Sequence, residues 1–191
     1  MSDQDDRRIL VALDEVRGKP PSATLPKINE CGDIGLKIAH DGTWFYQGSR
    51  IARMKLVKLF ASVLRHEADG KYYLITPVEK VVIEVEDVPF LAVAMEVIGK
   101  GPSQILRFRT NLDDVVEAGP QHGLSFRSER DGSFTPYVEI RDGLRARLAR
   151  AVYYELVAVS SAGDPDRGEM GVWSGGIFFA FPAASSTISA S

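Results

Sequence analysis

Gly35-Leu36-Lys37-Ile38-Ala39-His40-Asp41-Gly42-Thr43-Trp44-Phe45-Tyr46 decides the fold of this chain. Ile34, Leu36 and Ile38 alternate on one face, Asp41-Gly42 accepts the positive φ that a hairpin turn demands, and Thr43 to Tyr46 returns as a strand. After Gly48-Ser49, with Ser49 read as an N-cap, Leu56, Leu59, Phe60, Val63 and Leu64 recur at helical spacing. Arg53, Lys55, Lys58 and Arg65 take the opposite side, and the helix is expected to close near Asp69-Gly70. The unit is a hairpin followed by an amphipathic helix.

The unit returns further along. Gly123-Leu124-Ser125-Phe126 repeats Gly35 to Ile38, and Asp131-Gly132-Ser133-Phe134 repeats Asp41 to Trp44. Ile140, Leu148 and Val152 then answer to Ile51, Leu59 and Val63 at an offset of 88 to 90 residues. On this alignment a second helix carries Leu144, Leu148, Ala151, Val152 and Glu155. Between the copies, Lys71–Thr76, Val81–Glu86 and Phe90–Ile98 read as a meander divided by Pro77 and by Asp87-Val88-Pro89. Gly99 to Pro102 reads as a turn, Gln104 to Arg109 as a strand, and Asn111 to Asp114 as the start of a short helix stopping near Gly119-Pro120. In the second copy Tyr153–Val159 and Gly171–Phe181 are the expected later strands. At the front, Asp3, Asp5 and Asp6 precede an Ile9, Leu13, Val16 stripe, and Lys19 to Pro26 reads as a linker. The expected fold is α+β, with two similar halves, each an antiparallel sheet packed with a helix. Residues 1–25 form an N-terminal helix and linker, 26–98 the first repeat and 99–191 the second.

Composition narrows the classes of function. The apolar fraction is 45% and the charged fraction 26%, ordinary for a folded globular chain. A net charge of -3 supplies no cationic field for nucleic acid or anionic lipid. Apolar runs stay far below the ~20 residues of a membrane span. The single cysteine, Cys31, excludes an intramolecular disulfide, and the N-terminus lacks a secretory pattern, so the expected location is the cytoplasm.

At Gly32-Asp33-Ile34, Asp41 to Phe45, Leu59-Phe60-Ala61, Thr76-Pro77-Val78-Glu79-Lys80-Val81 and Val85 to Phe90, the chain resembles the bacterial domain-of-unknown-function family 1285. Tyr137-Val138 and Arg141 through Leu144 fit its second half, while Arg50 stands where a proline is expected. The resemblance implies a two-half α+β protein without an established activity, for which signalling or ligand sensing is the usual guess. It supplies no catalytic residues.

Tests for particular chemistries give mostly negatives. His40, His66 and His122 lack metal-ligand spacing, and Cys31 reads as a small buried residue. Val172-Trp173-Ser174-Gly175-Gly176 lacks the leading glycine of a nucleophile elbow, and Gly99-Lys100-Gly101-Pro102-Ser103 lacks the full phosphate-loop pattern. Asp164 to Glu169 stops short of a calcium loop. No cofactor, metal or catalytic residue is expected. The first expectation is therefore a non-enzymatic binding or regulatory module receiving a small anionic ligand or a protein partner between its halves. Arg107, Arg109 and Arg141 are its ligand candidates, with Trp44 and Tyr137 as apolar walls. The alternatives are an enzyme with an acid–base group among Glu79, Lys80 and Asp87, and an assembly protein pairing through strand edges.

Overall fold

The computed structural model describes residues 29–31, 34–77, 79–163 and 169–182. The expected N-terminal helix, its linker and most of the Asp164 to Glu169 loop lie outside them. The chain divides into two compact units, Met1–Glu86 and Asp87–Ser191.

The first unit contains β1 (Asn29–Cys31), β2 (Leu36–Ile38), β3 (Trp44–Tyr46), β4 (Ser49–Arg50), α1 (Met54–Ser62), β5 (Leu64–His66), β6 (Tyr72–Ile75) and β7 (Glu79–Val85). Its strands lie in the order β4-β3-β2-β7-β6-β5, with β1 pairing in parallel with the start of β7. Two antiparallel meanders thus meet where β2 runs parallel to β7, Lys37 opposite Glu84 and Ile38 opposite Val85. Alternation puts Leu36, Ile38, Val81 and Ile83 inside, with Val57, Phe60 and Ala61 of α1 also buried. Trp44 of β3 stacks on Phe60 of α1 with ring centroids 6.2 Å apart.

The second unit contains β8 (Phe90–Ile98), β9 (Ile105–Thr110), β10 (Val115–Glu117), β11 (Leu124–Ser128), β12 (Phe134–Arg141), β13 (Leu144–Leu148), α2 (Arg150–Ala158), β14 (Ser161–Ala162), β15 (Met170–Ser174) and β16 (Ile177–Ala180). Its six-stranded sheet runs β10-β9-β8-β13-β12-β11, and β14-β15-β16 form a separate small sheet. Again the first and last strands of two meanders meet in parallel, Arg147 of β13 opposite Leu91 of β8. With β1 set aside, so that numbering starts at β2 in the first unit and at β8 in the second, each six-strand order is 3-2-1-6-5-4. The fold is α+β with two similar halves, and the main sheet of each is mixed rather than wholly antiparallel. The halves differ in their helices: α1 links the meanders of the first unit, whereas α2 follows the sixth strand of the second.

This order shifts the phase of the repeat. The hairpin β11–β12 is equivalent to β5–β6, not to β2–β3, and β8, expected in the first half, opens the second sheet. The misalignment has a local cause, because one turn occurs three times. Ala39 N–H donates to Thr43 O at 2.9 Å, Glu67 to Lys71 at 3.0 Å and Glu129 to Ser133 at 2.8 Å. In each, the aspartate (Asp41, Asp69, Asp131) accepts from the backbone N–H two residues on, at 2.9 to 3.0 Å. The glycine beside it has φ of 79°, 79° or 82°. Asp69-Gly70 therefore turns a hairpin; the helix before it has already stopped at Ser62.

Other differences follow from backbone bonds that the pattern does not display. Ser49 is no helix cap: the positive-φ pair Gln47-Gly48 folds it back into β4, and α1 begins behind Arg53 without a side-chain cap. Leu144, Ala146 and Leu148 are buried alternately in β13, so the second helix starts only at Arg150 and includes Tyr153 to Ala158, expected as strand. Asn111 to Asp114 forms a turn into β10 instead of a helix. Thr110 Oγ1 accepts the Leu112 and Asp114 N–H groups at 3.2 and 3.1 Å, and Asn111 N–H donates to Leu91 O at 2.8 Å.

α2 packs on β8 and β13, and β15 lies against β9. A polar pin fixes β15 there. Ser174, fully buried, donates from Oγ to Ala118 O at 2.6 Å and accepts the Leu106 N–H at 2.9 Å. Gln104 Nε2 donates to Trp173 O at 2.8 Å beside it. Ser174→Ala strands a strand N–H and a carbonyl in the core, so chemical denaturation should show a loss of about 1–3 kcal/mol. An unchanged midpoint would show that the pin contributes nothing.

Candidate functional site

The candidate site is the outward face of the second sheet's last three strands. Antiparallel pairing aligns Ser125, Tyr137 and Arg147 across β11, β12 and β13, and sets Glu139 opposite Arg145. Because strand side chains alternate, the run Leu144-Arg145-Ala146-Arg147-Leu148 sends its three apolar residues into the core and both arginines outward. Arg127 emerges from edge strand β11 on the same side. The Tyr137 ring is itself buried, 3% exposed, so it is no open wall; the guanidiniums of Arg127 and Arg145 each lie 5.3 Å from its centroid.

Asp87, the first residue of this unit, reaches the same point from the segment before β8. Tyr137 Oη donates to its carboxylate at 3.1 and 3.2 Å, Arg127 Nη1 donates at 3.0 Å, and Arg147 Nε stands 3.8 Å away. The Asp87 side chain is only 9% exposed. Arg127 also donates to Glu129 Oε1 at 3.2 Å, and Thr135 Oγ1 donates to the same oxygen at 2.6 Å. Glu129 is accordingly more acidic than usual, first through Thr135 and then through Arg127. Burial works against the Arg127 charge, but its bonds to Asp87 and Glu129 outweigh it and raise its pKa. Arg145 has no carboxylate within ion-pair range among the described residues; Glu139 opposite it accepts the Gly143 N–H at 3.2 Å. The arrangement can grip an oxyanion: the phenol and the guanidiniums of Arg127 and Arg147 converge where Asp87 now lies, and Arg145 flanks the same ring.

The other sequence candidates lie apart. Arg107 is held between Glu117 at 2.8 Å and Glu96 at 3.0 Å on β9's exposed face, and Glu117 leads in raising its pKa. Arg109 is 3.7 Å from Asp113, and Arg141 reaches Asp114 at 3.4 Å with its guanidinium over the Phe90 ring. Trp44 is 1% exposed in the core of the first unit, so it offers no wall to a ligand. Of the acid–base trio, Glu79 is exposed at a turn where its N–H donates to Thr76 Oγ1. Lys80 is bound to Glu67 at 3.2 Å and lies over the Tyr73 ring at 4.1 Å. Asp87 belongs to the arginine cluster. Arg127, Arg145 and Arg147 are not grouped by the sequence pattern, because the expected second helix carries Leu144 and Leu148 and so hides the strand that brings Arg145 and Arg147 to one face. Their Arg-Ala-Arg alternation after the Asp142-Gly143 turn was the available signal. Among the described residues no three His, Cys, Asp or Glu side chains gather as a metal would require. No helix among them is long and apolar enough to cross a membrane.

Duplicated 3-2-1-6-5-4 sheets, the second bearing an arginine–tyrosine face, define a two-unit α+β protein. The chain belongs to the DUF1285 family: residues 23–88 match its N-terminal domain and residues 89–181 its C-terminal domain, both described as of unknown function. A DUF1285 family protein from Silicibacter pomeroyi DSS-3 is 40% identical, with a TM-score of 0.78 over 90% of this chain and 93% of its own. Another from Shewanella baltica OS155 is 34% identical, with a TM-score of 0.51 over 65% of this chain and 91% of its own. No curated protein matches the chain.

Burial, and after it the Asp87 carboxylate, pushes the Tyr137 phenol up to about 12 from 10.0. The unfolded chain releases this proton near pH ~10 and the folded one only near pH 12, so the tyrosine's contribution to stability is whole below pH ~10 and fades as pH rises between them. A phenolate absorbance titration should show one late-ionising tyrosine that Tyr137→Phe removes. Ionisation of every phenol near pH ~10 would contradict the buried contact with Asp87.

Proposed function

We propose that this chain is a non-enzymatic binding module whose second unit takes up a small, multiply charged oxyanion on the Arg127, Arg145 and Arg147 face around Tyr137. The observation that carries the reading is convergence. Arg107 is outnumbered by its two carboxylates, and Arg109 and Arg141 each meet one. At Tyr137 two guanidiniums, of Arg127 and Arg147, share the Asp87 carboxylate, Arg127 also meets Glu129, and the Arg145 guanidinium lies over the same ring. Planar forks held by sheet register are pre-organised for phosphate or carboxylate oxygens, and a stacked ring fixes their orientation.

Calorimetry with pyrophosphate tests this. A bond between an oxyanion and a guanidinium contributes about 1.5–3 kcal/mol, so Arg145→Ala and Arg147→Ala should each weaken binding by roughly tenfold or more. Arg107→Ala, on the other part of the sheet, should bind as the parent does. Loss on Arg107→Ala with Arg145→Ala unaffected would move the site to the Glu96–Arg107–Glu117 row; no binding by the parent or by Asp87→Asn would end the reading.

A further inference from the structure

We propose that Asp87 is a built-in competitor for the anion, an autoinhibitory contact that occupies the arginine face until an oxyanion displaces it. The proposal rests on the anion-binding reading above and concerns how that site is regulated.

The aspartate does not belong to the sheet surface it neutralises. Tyr137 and Arg147 come from β12 and β13 and Arg127 from β11, whereas Asp87 enters from the segment leading into β8. Its carboxylate presents two oxygens to a hydroxyl and two guanidiniums, the donor set a phosphate oxygen would use. The fit is incomplete. Tyr137 Oη is shared between both oxygens, and Arg147 Nε at 3.8 Å lies well beyond the ~2.7–2.9 Å of a charge-assisted hydrogen bond. An anion with more oxygens, or a longer reach toward Arg145, would satisfy the donors better. Arg127 keeps Glu129 as a second partner in either state, so release of Asp87 does not leave it without a carboxylate.

Tethering also sets the strength of the competition. A carboxylate joined through the chain acts at an effective concentration on the order of mM, so the parent protein binds an external anion more weakly than its donors allow. Neutralising the aspartate while keeping its shape removes the competitor. Displacing it also releases the Asp87 backbone from its side-chain anchor, between Glu86, which stays held by Lys37 and the His40 N–H, and buried Val88.

Pyrophosphate binding to the full chain should therefore tighten at least tenfold in Asp87→Asn, at constant ionic strength. Binding seen only in Asp87→Asn also supports the proposal. Equal or weaker binding in Asp87→Asn, with the parent binding, overturns autoinhibition and leaves the anion site standing. No binding in either removes both. A second measurement uses the parent protein and does not depend on the variant folding. Cleavage at Glu86 or Asp87 by an acid-specific protease should accelerate several-fold in saturating pyrophosphate relative to matched sodium chloride. Cleavage that is unchanged or slowed would count against the displacement.

Discussion

Each half of this protein depends on one parallel contact. β2 against β7 and β8 against β13 join two meanders that would otherwise be separate three-stranded ribbons, each at the minimum strand number for independent stability. Antiparallel pairs form through short turns, but a parallel pair needs the chain to return by a long route. Here the whole run from the first strand to the sixth supplies it. The junction fixes register throughout the sheet, because a one-residue slip would turn Leu36 and Ile38, or Leu144, Ala146 and Leu148, to the wrong face. The outer side of each junction carries the difference between the halves. In the first unit Lys37 bridges Glu84 at 3.0 Å and Glu86 at 2.7 Å, a closed set of charges. In the second, Arg147 stands opposite apolar Leu91 and turns to Asp87 and Tyr137.

The sequence displays its turns more clearly than its helices. Asp-Gly at 41–42, 69–70 and 131–132 encodes a geometry that few other pairs tolerate, and the strands beside it alternate with period two. That same specificity misled the alignment of the halves, since any two of the three copies superpose locally. Helix ends were obscured for another reason. Neither α1 nor α2 has a side-chain N-cap, and residues that look like one, such as Ser49, are claimed by strand pairing. Leu144 and Leu148 satisfy both an i, i+4 stripe and a strand alternation. The alternation prevails because β13 lies between β8 and β12 and is bonded on both edges.

The site was legible only in pieces. Tyr137 could be chosen from its aromatic character, and Asp87 from its place beside a proline turn, but they were assigned to different functions. Nothing in their spacing of 50 residues announces that a phenol and a carboxylate meet. Sheet register brings them together, and register across a parallel junction is a long-range property. The arginines were visible as a basic run, yet their grouping depended on whether the run was helix or strand. As a helix, Arg141, Arg145 and Arg147 spread over one broad face; as a strand, Arg145 and Arg147 share a face while Arg141 turns over Phe90.

The seam between the units falls within a run of two acids whose neighbours differ. Glu86 ends the first unit and accepts from Lys37 and the His40 N–H, while Asp87 begins the second and accepts from Tyr137 and Arg127. The family's two domain models divide two residues later, between 88 and 89. For anyone preparing the halves as separate polypeptides, those two residues set the chemistry of the product. A C-terminal fragment beginning at Pro89 lacks the carboxylate that accepts from Arg127 and Tyr137. One beginning at Asp87 keeps the carboxylate but places a free α-amino group beside it, a third cation, after Arg127 and Arg147, competing for the same oxygens.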